Sequence, residues 1–376
     1  MAARRGDLRI VEAAPPGASR IHHPGPPGPG AALETTDLAE NALIVGGTGS
    51  FGRTMLDRIL SETDHCVTVF SRDEEKQHAL RTKLQSDRVR FHIGDVRNLK
   101  SVTTAMQGID YVFHAAALKQ VPSCEFFPME AIQTNIIGSQ NVIDSAIQCG
   151  VKKAVFLSTD KSVFPINAMG MTKALMEKLV LARVRTDPDC PTVLCIVRYG
   201  NVLGSRGSVV PAFIDRIVRG EPISVTNPDM TRFLLTLPDA VRLVDLALEV
   251  GRPGDIFVKK APASTVGDLA RAMIEIFDRD VGINVIGERV GEKLYETLAS
   301  AAEVSRAENL DEYFRIPQEV VSLNYEVYFD VGSGAASTTC DYHSHNTNRL
   351  ERDELNKLLL SLPIVKQGLR RAGRMS

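Results

Sequence analysis

The residues of this sequence that are best suited to chemistry stand at the end of a short apolar run. Thr159, Asp160 and Lys161 follow KAVFLS, whose continuous apolar, β-branched character predicts a buried strand. A carboxyl group and an amine side by side can serve as acid and base. A lone Asp-Lys pair is more often a surface ion pair, but open α/β sheets bind ligands at the carboxyl ends of their strands. That position favours a catalytic pair.

A second chemical signal lies on the helix predicted directly downstream. Met169 follows Lys161 by eight residues and opens the segment MGMTKALMEKLVLARV. Met169 and Lys173 are four residues apart, so they share one helix face. Lys173 is placed to contact the ribose of a bound nucleotide cofactor, and the alternative is a solvated helix lysine.

A glycine-rich turn predicts a phosphate-binding loop. Gly46, Gly49 and Gly52 follow the apolar run ALIV and open a helical pattern. The first glycine allows a tight bend, the second lets backbone N–H groups approach a pyrophosphate, and the third allows close helix packing. The helix N-terminus favours the anion through its dipole. We predict that a dinucleotide cofactor binds here, with further contacts from Thr48, Ser50 and Phe51.

The end of the second predicted strand bears on which dinucleotide binds. An acidic residue about 20 residues beyond the glycines holds the ribose in NAD enzymes, whereas this sequence has Ser71 and Arg72 there. Serine and arginine suit a 2′-phosphate, so NADP is predicted, and Asp73 keeps NAD as the alternative. Residues that end the next two strands are also predicted cofactor contacts, namely Asp95, Val96, Ala115, Ala116 and Ala117.

The elements that must position these residues alternate in type along the chain. Six apolar runs, from ALIVGG to TVLCIVRYG, are separated by helical patterns. This alternation predicts the α/β class, with a Rossmann-like doubly wound parallel sheet and a smaller C-terminal substrate-binding lobe. We predict a cofactor-binding domain over residues 39–204 and a lobe with a C-terminal arm over residues 205–376. Within the lobe, a segment near residues 232–250 is predicted to return to the first domain.

Composition argues against several classes of protein. A net charge of −2 argues against nucleic-acid binding, and no run approaches the roughly 20 apolar residues of a membrane span. The six cysteines form no CxxC pair, which argues against a zinc module or a disulfide scaffold. Residues 1–38 contain PPGASRIHHPGPPGPG and no apolar periodicity, so we predict a disordered tail. We expect a cytoplasmic protein without a metal, nucleic-acid or membrane partner.

Several motifs together resemble one family. They occur in order over residues 40–365 and include GGTGSFG, FSRDE, HAAALKQVPSCE, LSTDKSVFPINAMGMTKALMEK, VRYGNVLGSRGSVVP, GERVGEKLYE and DYHSHNTNRL. The chain resembles the extended short-chain dehydrogenase/reductases, and within them the UDP-N-acetylglucosamine 4,6-dehydratases of bacterial capsule, O-antigen and flagellin glycan pathways. The SHNTNRL block resembles the capsular branch of polysaccharide biosynthesis, which also inverts C5 of the sugar.

The resemblance implies a definite reaction. NADP⁺ accepts hydride from C4 of the sugar, the C4 ketone acidifies the C5 proton, water leaves from C6, and the hydride returns to C6. In this scheme Thr159 hydrogen-bonds O4, Asp160 protonates the departing hydroxyl, and Lys161 removes the C5 proton. A lysine that acts as a base must be partly neutral, so we expect the pKa of Lys161 to be lowered.

One position departs from the pattern of the wider superfamily. The YxxxK motif of that superfamily uses its tyrosine to take the O4 proton, and this sequence has Met169 in that place. A thioether cannot do acid–base chemistry, although some dehydratases similar to this chain also carry methionine there. The group that deprotonates O4 therefore stays open among Lys173, Lys161, Lys119 and a bound water.

The negative diphosphate of a UDP-sugar favours arginine and asparagine as its binding side chains. The contacts that the resemblance implies are Asn201, Arg206, Arg232, Arg289 and Glu292, with Lys119 and Ser123 facing the hexose and Tyr199 beside Asn201 at the cofactor. His343 and His345 resemble a metal site only superficially, because no third ligand accompanies them, so we interpret them as structural. The family also implies a homo-oligomer, from dimer to hexamer.

The resemblance leads us to expect an NADP-dependent lyase, a UDP-N-acetylglucosamine 4,6-dehydratase that inverts C5. Two alternatives stay open, a UDP-sugar 4-epimerase and a catalytically silent NADP-binding scaffold. Epimerases of this type usually keep the tyrosine and lack the Asp160-Lys161 pair. The presence of Thr159, Asp160, Lys161 and Lys173 argues against the scaffold.

Overall fold

The computed structural model describes residues 41–205, 207–318 and 339–374. The tail predicted over residues 1–38, Arg206, and part of the predicted C-terminal arm lie outside the described residues. Within the described ranges, no helix is both long enough and apolar enough to cross a bilayer.

The strands of the described residues form one large sheet and three small ones. In chain order they are β1 (Asn41–Val45), β2 (Cys66–Ser71), β3 (Val89–Ile93), β4 (Tyr111–His114), β5 (Lys153–Leu157), β6 (Val193–Arg198), β7 (Asn201–Val202), β8 (Ile223–Val225), β9 (Thr231–Leu235), β10 (Ile256–Lys259), β11 (Ala263–Thr265), β12 (Ile283–Val285), β13 (Thr297–Ala299), β14 (Glu308–Leu310), β15 (Tyr313–Ile316) and β16 (Tyr342–His343).

The large sheet has the order β14-β15-β10-β6-β5-β4-β1-β2-β3. Neighbours from β10 to β3 are parallel, whereas β15 pairs antiparallel with β10, and β14 pairs antiparallel with β15. The direction of winding reverses between β1 and β4. Such a switch point, at the carboxyl ends of the strands, is where doubly wound sheets bind ligands.

Helices connect the strands and cover both faces of the large sheet, which explains why its central strands are continuously apolar. The helices of the described residues are α1 (Ser50–Glu62), α2 (Glu74–Leu84), α3 (Leu99–Ala105), α4 (Val121–Phe126), α5 (Pro128–Ala131), α6 (Gly138–Gln148), α7 (Ala168–Thr186), α8 (Val209–Arg219), α9 (Leu237–Val250), α10 (Val266–Phe277), α11 (Ala301–Arg306), α12 (Arg352–Ser361) and α13 (Pro363–Arg371).

A second, smaller cluster of buried apolar side chains lies in the C-terminal part of the chain. It contains Phe213 of α8, Met273 of α10, Leu359 of α12 and Leu369 of α13. Helix α9, between the elements of this cluster in the sequence, instead packs against α1, β5, β6 and β10 of the large sheet. The predicted doubly wound α/β fold is confirmed, and the limits of the two predicted domains stay a prediction.

One predicted helix is less regular than its sequence suggests. The pattern MEAIQTNIIGSQNVIDSAIQ predicts a single helix, but the structure has α5, a π-helical segment over Ile132–Ile137, and then α6. The wider turn holds Asn135, whose buried side chain accepts a hydrogen bond from the Leu118 backbone N–H at 2.8 Å and donates to the Thr172 hydroxyl at 3.0 Å. Asn135 thereby ties the loop after β4 to α7.

Candidate active site

The glycine-rich turn lies at the switch point between β1 and β4. Gly46 has a φ of +88°, and a Cβ atom there would lie 2.7 Å from the backbone nitrogen of Ala116. A Cβ at Gly52 would lie 2.5 Å from the Cα of Gly47, so only glycine allows α1 to approach the turn this closely. Among the described residues, no side chain caps α1 at Gly49. The first N–H groups of α1 are thus suited to binding an anion.

Small and buried residues surround this turn. The backbone nitrogen of Ala115 donates to the Val45 carbonyl at 2.8 Å, which brings the loop after β4 alongside the glycines. Thr48 is buried in the turn, Ser50 and the buried Phe51 begin α1, and Ala115, Ala116 and Ala117 are half-buried.

At the end of β2, the basic and the acidic candidate have different surroundings. Arg72 is half-exposed, with a side-chain exposure of 53%, and its guanidinium lies 3.6 Å from the Asp95 carboxylate. Asp73 caps α2, because one carboxylate oxygen accepts from the Lys76 backbone N–H at 2.9 Å and the other pairs with the Lys76 ammonium. Arg72 is therefore the more accessible of the two for a cofactor phosphate.

The other candidates around this edge are held by local contacts. The Ser71 hydroxyl accepts from the Gln77 amide at 3.0 Å. Burial opposes the charge on Asp95, but hydrogen bonds from Arg97 outweigh it and lower the pKa of the carboxyl. Val96 is buried against Gly138, where a Cβ would come within 2.8 Å of it.

The three predicted catalytic residues after β5 form one hydrogen-bonded unit. The Thr159 hydroxyl donates to Oδ1 of Asp160 at 2.9 Å, and the Lys161 ammonium lies 3.1 Å from the same oxygen. Asp160 is buried, and its Oδ2 has no hydrogen-bond partner among the described residues. An acid and an amine thus meet at the carboxyl end of the sheet.

Two side chains from the C-terminal half complete this cluster. Oε1 of Glu296, a residue just before β13, lies 3.0 Å from Nζ of Lys161 and 3.8 Å from Nε of Arg232 on β9. Glu296 is only 2% exposed. Sequence reasoning found Arg232 but missed Glu296, although Glu296 lies in the motif GERVGEKLYE. Its contact with Lys161 spans distant parts of the chain, so no local spacing indicates it.

The charge balance around Lys161 corrects one expectation. Burial opposes the ammonium charge, but the carboxylates of Asp160 and Glu296 outweigh both burial and the nearby Arg232, and they raise the pKa of Lys161. The expectation of a lowered pKa is therefore wrong for this arrangement. The amine must pass a proton on before it can act as a base.

A second lysine that the sequence reasoning missed lies beside this cluster. The ammonium of Lys293 donates to the Val163 carbonyl at 2.7 Å. Burial lowers the pKa of Lys293, and the repulsion from Lys161 and Arg232 acts in the same direction, while Glu296 and Asp160 oppose it.

Met169 and Lys173 lie on a buried face of α7. Met169 packs with Cys124 and Ala131, and Lys173 is 6% exposed with its Nζ 3.2 Å from the sulfur of Met176. Burial lowers the pKa of Lys173 to about 8, although Glu177 partly opposes this shift. The interpretation of Lys173 as a solvated helix lysine is therefore wrong.

The same helix begins directly against the catalytic turn. The Asn167 side chain caps α7 by accepting from the Gly170 N–H at 2.8 Å. A Cβ at Gly170 would collide with the Lys161 carbonyl oxygen, so glycine allows the close approach. The Asn167 amide also donates to the Gly291 carbonyl at 2.8 Å and so joins the GERVGEK loop to this helix.

The remaining predicted site residues lie at different distances from the Asp160 cluster. The backbone nitrogen of Asp160 donates to the Tyr199 carbonyl at 3.2 Å, and burial raises the pKa of the Tyr199 hydroxyl. Oδ1 of Asn201 and Oε2 of Glu292 are buried without a hydrogen-bond partner among the described residues. Lys119, Ser123 and Arg289 are exposed, and among the described residues no contact joins Ser123 or Arg289 to the Asp160 cluster.

His343 and His345 pack on one aromatic side chain. Their rings lie 4.7 Å and 4.9 Å, centroid to centroid, from the Tyr295 ring. Burial lowers the pKa of both imidazoles. Within the described ranges, no group of three or more potential ligand side chains is suited to hold a metal ion.

The chain is similar to several known proteins and solved structures. The chain is 52% identical over 335 residues to a protein of Rickettsia canadensis (strain McKiel) named UDP-glucose 4-epimerase, and the match covers 88% of this chain and 98% of that protein. It is also similar to the X-ray structure of Pen from Bacillus thuringiensis, with 38% identity, a TM-score of 0.78, and coverage of 86% of this chain and 97% of that one.

A more distant structure shares the fold. DesIV, a dTDP-glucose 4,6-dehydratase from Streptomyces venezuelae with NAD bound, is 21% identical, with a TM-score of 0.62 over 68% of this chain and 86% of that one. Residues 42–318 match the family model described as polysaccharide biosynthesis protein, and residues 321–366 match the model of its C-terminal region. The chain belongs to the polysaccharide biosynthesis protein family.

Proposed function

We propose that this protein is a UDP-N-acetylglucosamine 4,6-dehydratase that inverts C5 and so forms a UDP-4-keto-6-deoxy sugar. The observation that carries the proposal is the buried contact between Asp160 and Lys161 at the carboxyl end of β5. Loss of water from C5 and C6 requires an acid for the departing hydroxyl and a base for the C5 proton. A 4-epimerase changes the sugar only at C4, so it needs no acid at C6 and no base at C5.

The switch point suits a nicotinamide cofactor. Gly46 allows the loop after β4 to pack closely against the turn, and the N-terminus of α1 would attract the negative charge of a pyrophosphate. Arg72 would hold a 2′-phosphate, which favours NADP, while Asp73 is engaged in capping α2. Bound there, the cofactor would supply the hydride acceptor for C4 and the hydride donor for C6.

Different side chains of this protein carry out the individual proton transfers. Thr159 orients the C4 hydroxyl, and Lys173 accepts its proton, because burial gives this amine a pKa of about 8 and Met169 cannot act. Asp160 donates a proton to the C6 oxygen as water leaves. Lys161 takes the C5 proton after passing its own proton to Asp160, whose Oδ1 lies 3.1 Å away.

The substrate phosphates would bind cationic and amide side chains. Arg232 is fixed beside the catalytic cluster by Glu296, and the NH₂ group of the Asn201 side chain would donate to a phosphate oxygen. Arg289 and Lys119 would approach the UDP-sugar from the exposed rim of the cleft. A homo-oligomer, from dimer to hexamer, stays part of the proposal.

A 4-epimerase is the second candidate, because the Rickettsia canadensis relative has that name at 52% identity. The two reactions differ in the mass of the product and in whether the hydrogen at C5 is exchanged with solvent. The test incubates the protein with UDP-N-acetylglucosamine in D₂O, followed by mass spectrometry and NMR. A product that has lost water and carries deuterium at C5 supports the dehydratase, whereas a C4 epimer of unchanged mass supports the epimerase and contradicts our proposal.

One variant connects the activity to the proposed site. Lys161→Ala is expected to abolish loss of water while cofactor binding stays near that of the unsubstituted protein, because Lys161 does not lie in the cofactor loop. Lys366→Ala, at an exposed lysine of α13, is the control and should leave turnover unchanged. Undiminished dehydration by Lys161→Ala would contradict the role given to this lysine.

A further inference from the structure

Glu296 is held in place by residues from two other segments of the chain. Its backbone nitrogen donates to the Ser344 hydroxyl at 3.0 Å, and the Ser344 nitrogen donates to the Glu296 carbonyl at 2.9 Å. The Ser344 hydroxyl is in turn 2.7 Å from that of Thr231. These contacts fix the backbone of Glu296 against the segment that carries Ser344.

Among the described residues, the side chain of Glu296 contacts Lys161 and Arg232 of the catalytic cluster. One oxygen contacts Lys161 at 3.0 Å and Arg232 at 3.8 Å, and the other is buried without a hydrogen-bond partner among the described residues. The charged groups around Lys161 are Asp160 on its own turn, Glu296, Arg232 of β9 and Lys293. Two carboxylates thus share one lysine at the site.

The proposed elimination gives these two carboxylates different tasks. The C5–H electron pair forms the new C5–C6 double bond, Nζ of Lys161 takes the C5 proton, and the C6–O bond breaks as Asp160 donates its proton to form water. Asp160 enters this step neutral and gains its negative charge only as its proton leaves for the C6 oxygen, so it offsets the charge on Lys161 late in the step. Glu296 is the carboxylate that stays ionised beside the amine.

We propose that Glu296 is a positioning residue for the C5 proton transfer, which aims Nζ of Lys161 and stabilises the ammonium ion formed there. This inference rests on the proposed dehydratase function. A carboxylate held beside a base stabilises the positive charge that the base acquires when it takes a proton. Such a preorganised charge favours the transition state when it faces the atom where charge develops.

The test isolates the C5 step from the oxidation at C4. Because inversion leaves the C5–H of the product on the face away from Lys161, the probe is the UDP-4-keto-6-deoxy sugar that keeps the C5 configuration of the substrate, and it is supplied to each cofactor-loaded variant in D₂O. Deuterium uptake at C5 is then measured by NMR across a range of pH. This exchange needs the base of the C5 step, but it needs no hydride transfer and no departure of the C6 hydroxyl.

Glu296→Gln removes the charge and keeps the shape. We expect the exchange rate at high pH to fall about 10²- to 10³-fold, because the ammonium loses its support. The pH at which the rate rises should also move lower by about one unit or more, because an opposite charge within hydrogen-bond distance raises a lysine pKa by that much. Glu296→Asp, which keeps the charge, should keep the pH profile of the unsubstituted enzyme at a reduced rate.

The outcomes separate this inference from the proposed function. Glu312→Gln, at an exposed carboxylate paired with Lys259, is the control and should change neither rate nor profile. A Glu296→Gln protein that binds cofactor normally but keeps the original pH profile would overturn the positioning role. Failure of the unsubstituted protein to make any keto sugar would instead overturn the dehydratase proposal.

Discussion

Two lysines of the candidate site have opposite pKa shifts because their neighbours differ. Lys161 contacts two carboxylates, which raise its pKa despite burial. Lys173 is buried against a thioether, and burial lowers its pKa to about 8. The same residue type is thereby prepared for two tasks, since Lys173 is partly neutral near neutral pH and Lys161 carries a proton to share with Asp160.

The role of Lys173 predicts a pH-dependent oxidation step. If its neutral amine accepts the O4 proton, the rate of reduced-nicotinamide formation in a single turnover should rise with pH through about 8, the pKa of Lys173. Lys173→Met should slow this step by about 10²- to 10⁴-fold, the usual range for loss of a general base. Stopped-flow absorbance of the reduced nicotinamide measures it directly.

A neighbouring lysine on the same helix provides the control. Lys178 is exposed, so Lys178→Met should keep both the rate and the pH profile. Cofactor affinity must be measured in parallel, because Lys173 is also a predicted ribose contact. A Lys173→Met protein that binds cofactor normally and still oxidises C4 at the original rate would assign the O4 proton to another group.

At the scale of elements, the sequence predicted best those features that depend on residues close together in the chain. Six of the seven parallel strands of the large sheet and the glycine turn were predicted, because each depends on a few consecutive residues. The π-helical segment was missed, because the pattern of apolar residues across it still resembles a single α-helix. Glu296 and Lys293 were missed because their contacts with the Asp160 turn form only when β13 packs against it.

The residues at the end of β2 lead us to predict that the protein binds NADP in preference to NAD. Arg72 is half-exposed beside Asp95, whereas Asp73 is engaged as the cap of α2. Arg72→Ala should weaken NADP binding by about 10- to 100-fold, since a hydrogen bond to a charged group contributes about 1.5–3 kcal/mol. NAD affinity should change little, and titration calorimetry with both cofactors measures the difference.

An arginine on the next strand serves as the comparison. Arg90 of β3 is exposed, and Arg90→Ala should leave both affinities unchanged. Equal loss of NAD and NADP affinity in Arg72→Ala would mean that Arg72 supports the fold of this edge rather than a 2′-phosphate. Tighter binding of NAD than NADP by the unsubstituted protein would contradict the predicted preference outright.

At the scale of the whole molecule, one buried arginine joins the large sheet to the helices behind the catalytic turn. The Arg198 guanidinium at the end of β6 contacts both oxygens of Glu177 on α7, at 2.9 and 2.7 Å, and lies 2.9 Å from each oxygen of Glu303 on α11. Glu177 also accepts hydrogen bonds from Ser158 and Ser162, which flank Asp160. The network thus supports the turn that carries the catalytic pair.

Removal of this arginine would leave the buried Glu177 and the half-buried Glu303 without a cationic partner. Arg198→Met is therefore expected to lower the free energy of unfolding by about 3–5 kcal/mol at neutral pH. Burial opposes the charge on Glu303, but Arg198 outweighs it and lowers the pKa of Glu303 below its ordinary value of 4.5. The stabilisation from this pairing is present above the ordinary pKa and is lost as the pH falls through the lowered one. The difference between the two proteins should therefore shrink as the pH falls.

Urea unfolding at several pH values measures this difference. Arg198→Lys, which keeps a positive charge, should lose less stability than Arg198→Met. Arg271→Met is the control, because Arg271 and its partner Asp268 are about half-exposed, and an exposed ion pair contributes about 0–1 kcal/mol. A deficit in Arg198→Met that stays constant from neutral to acidic pH would show that lost packing, rather than two unpaired carboxylates, destabilises the protein.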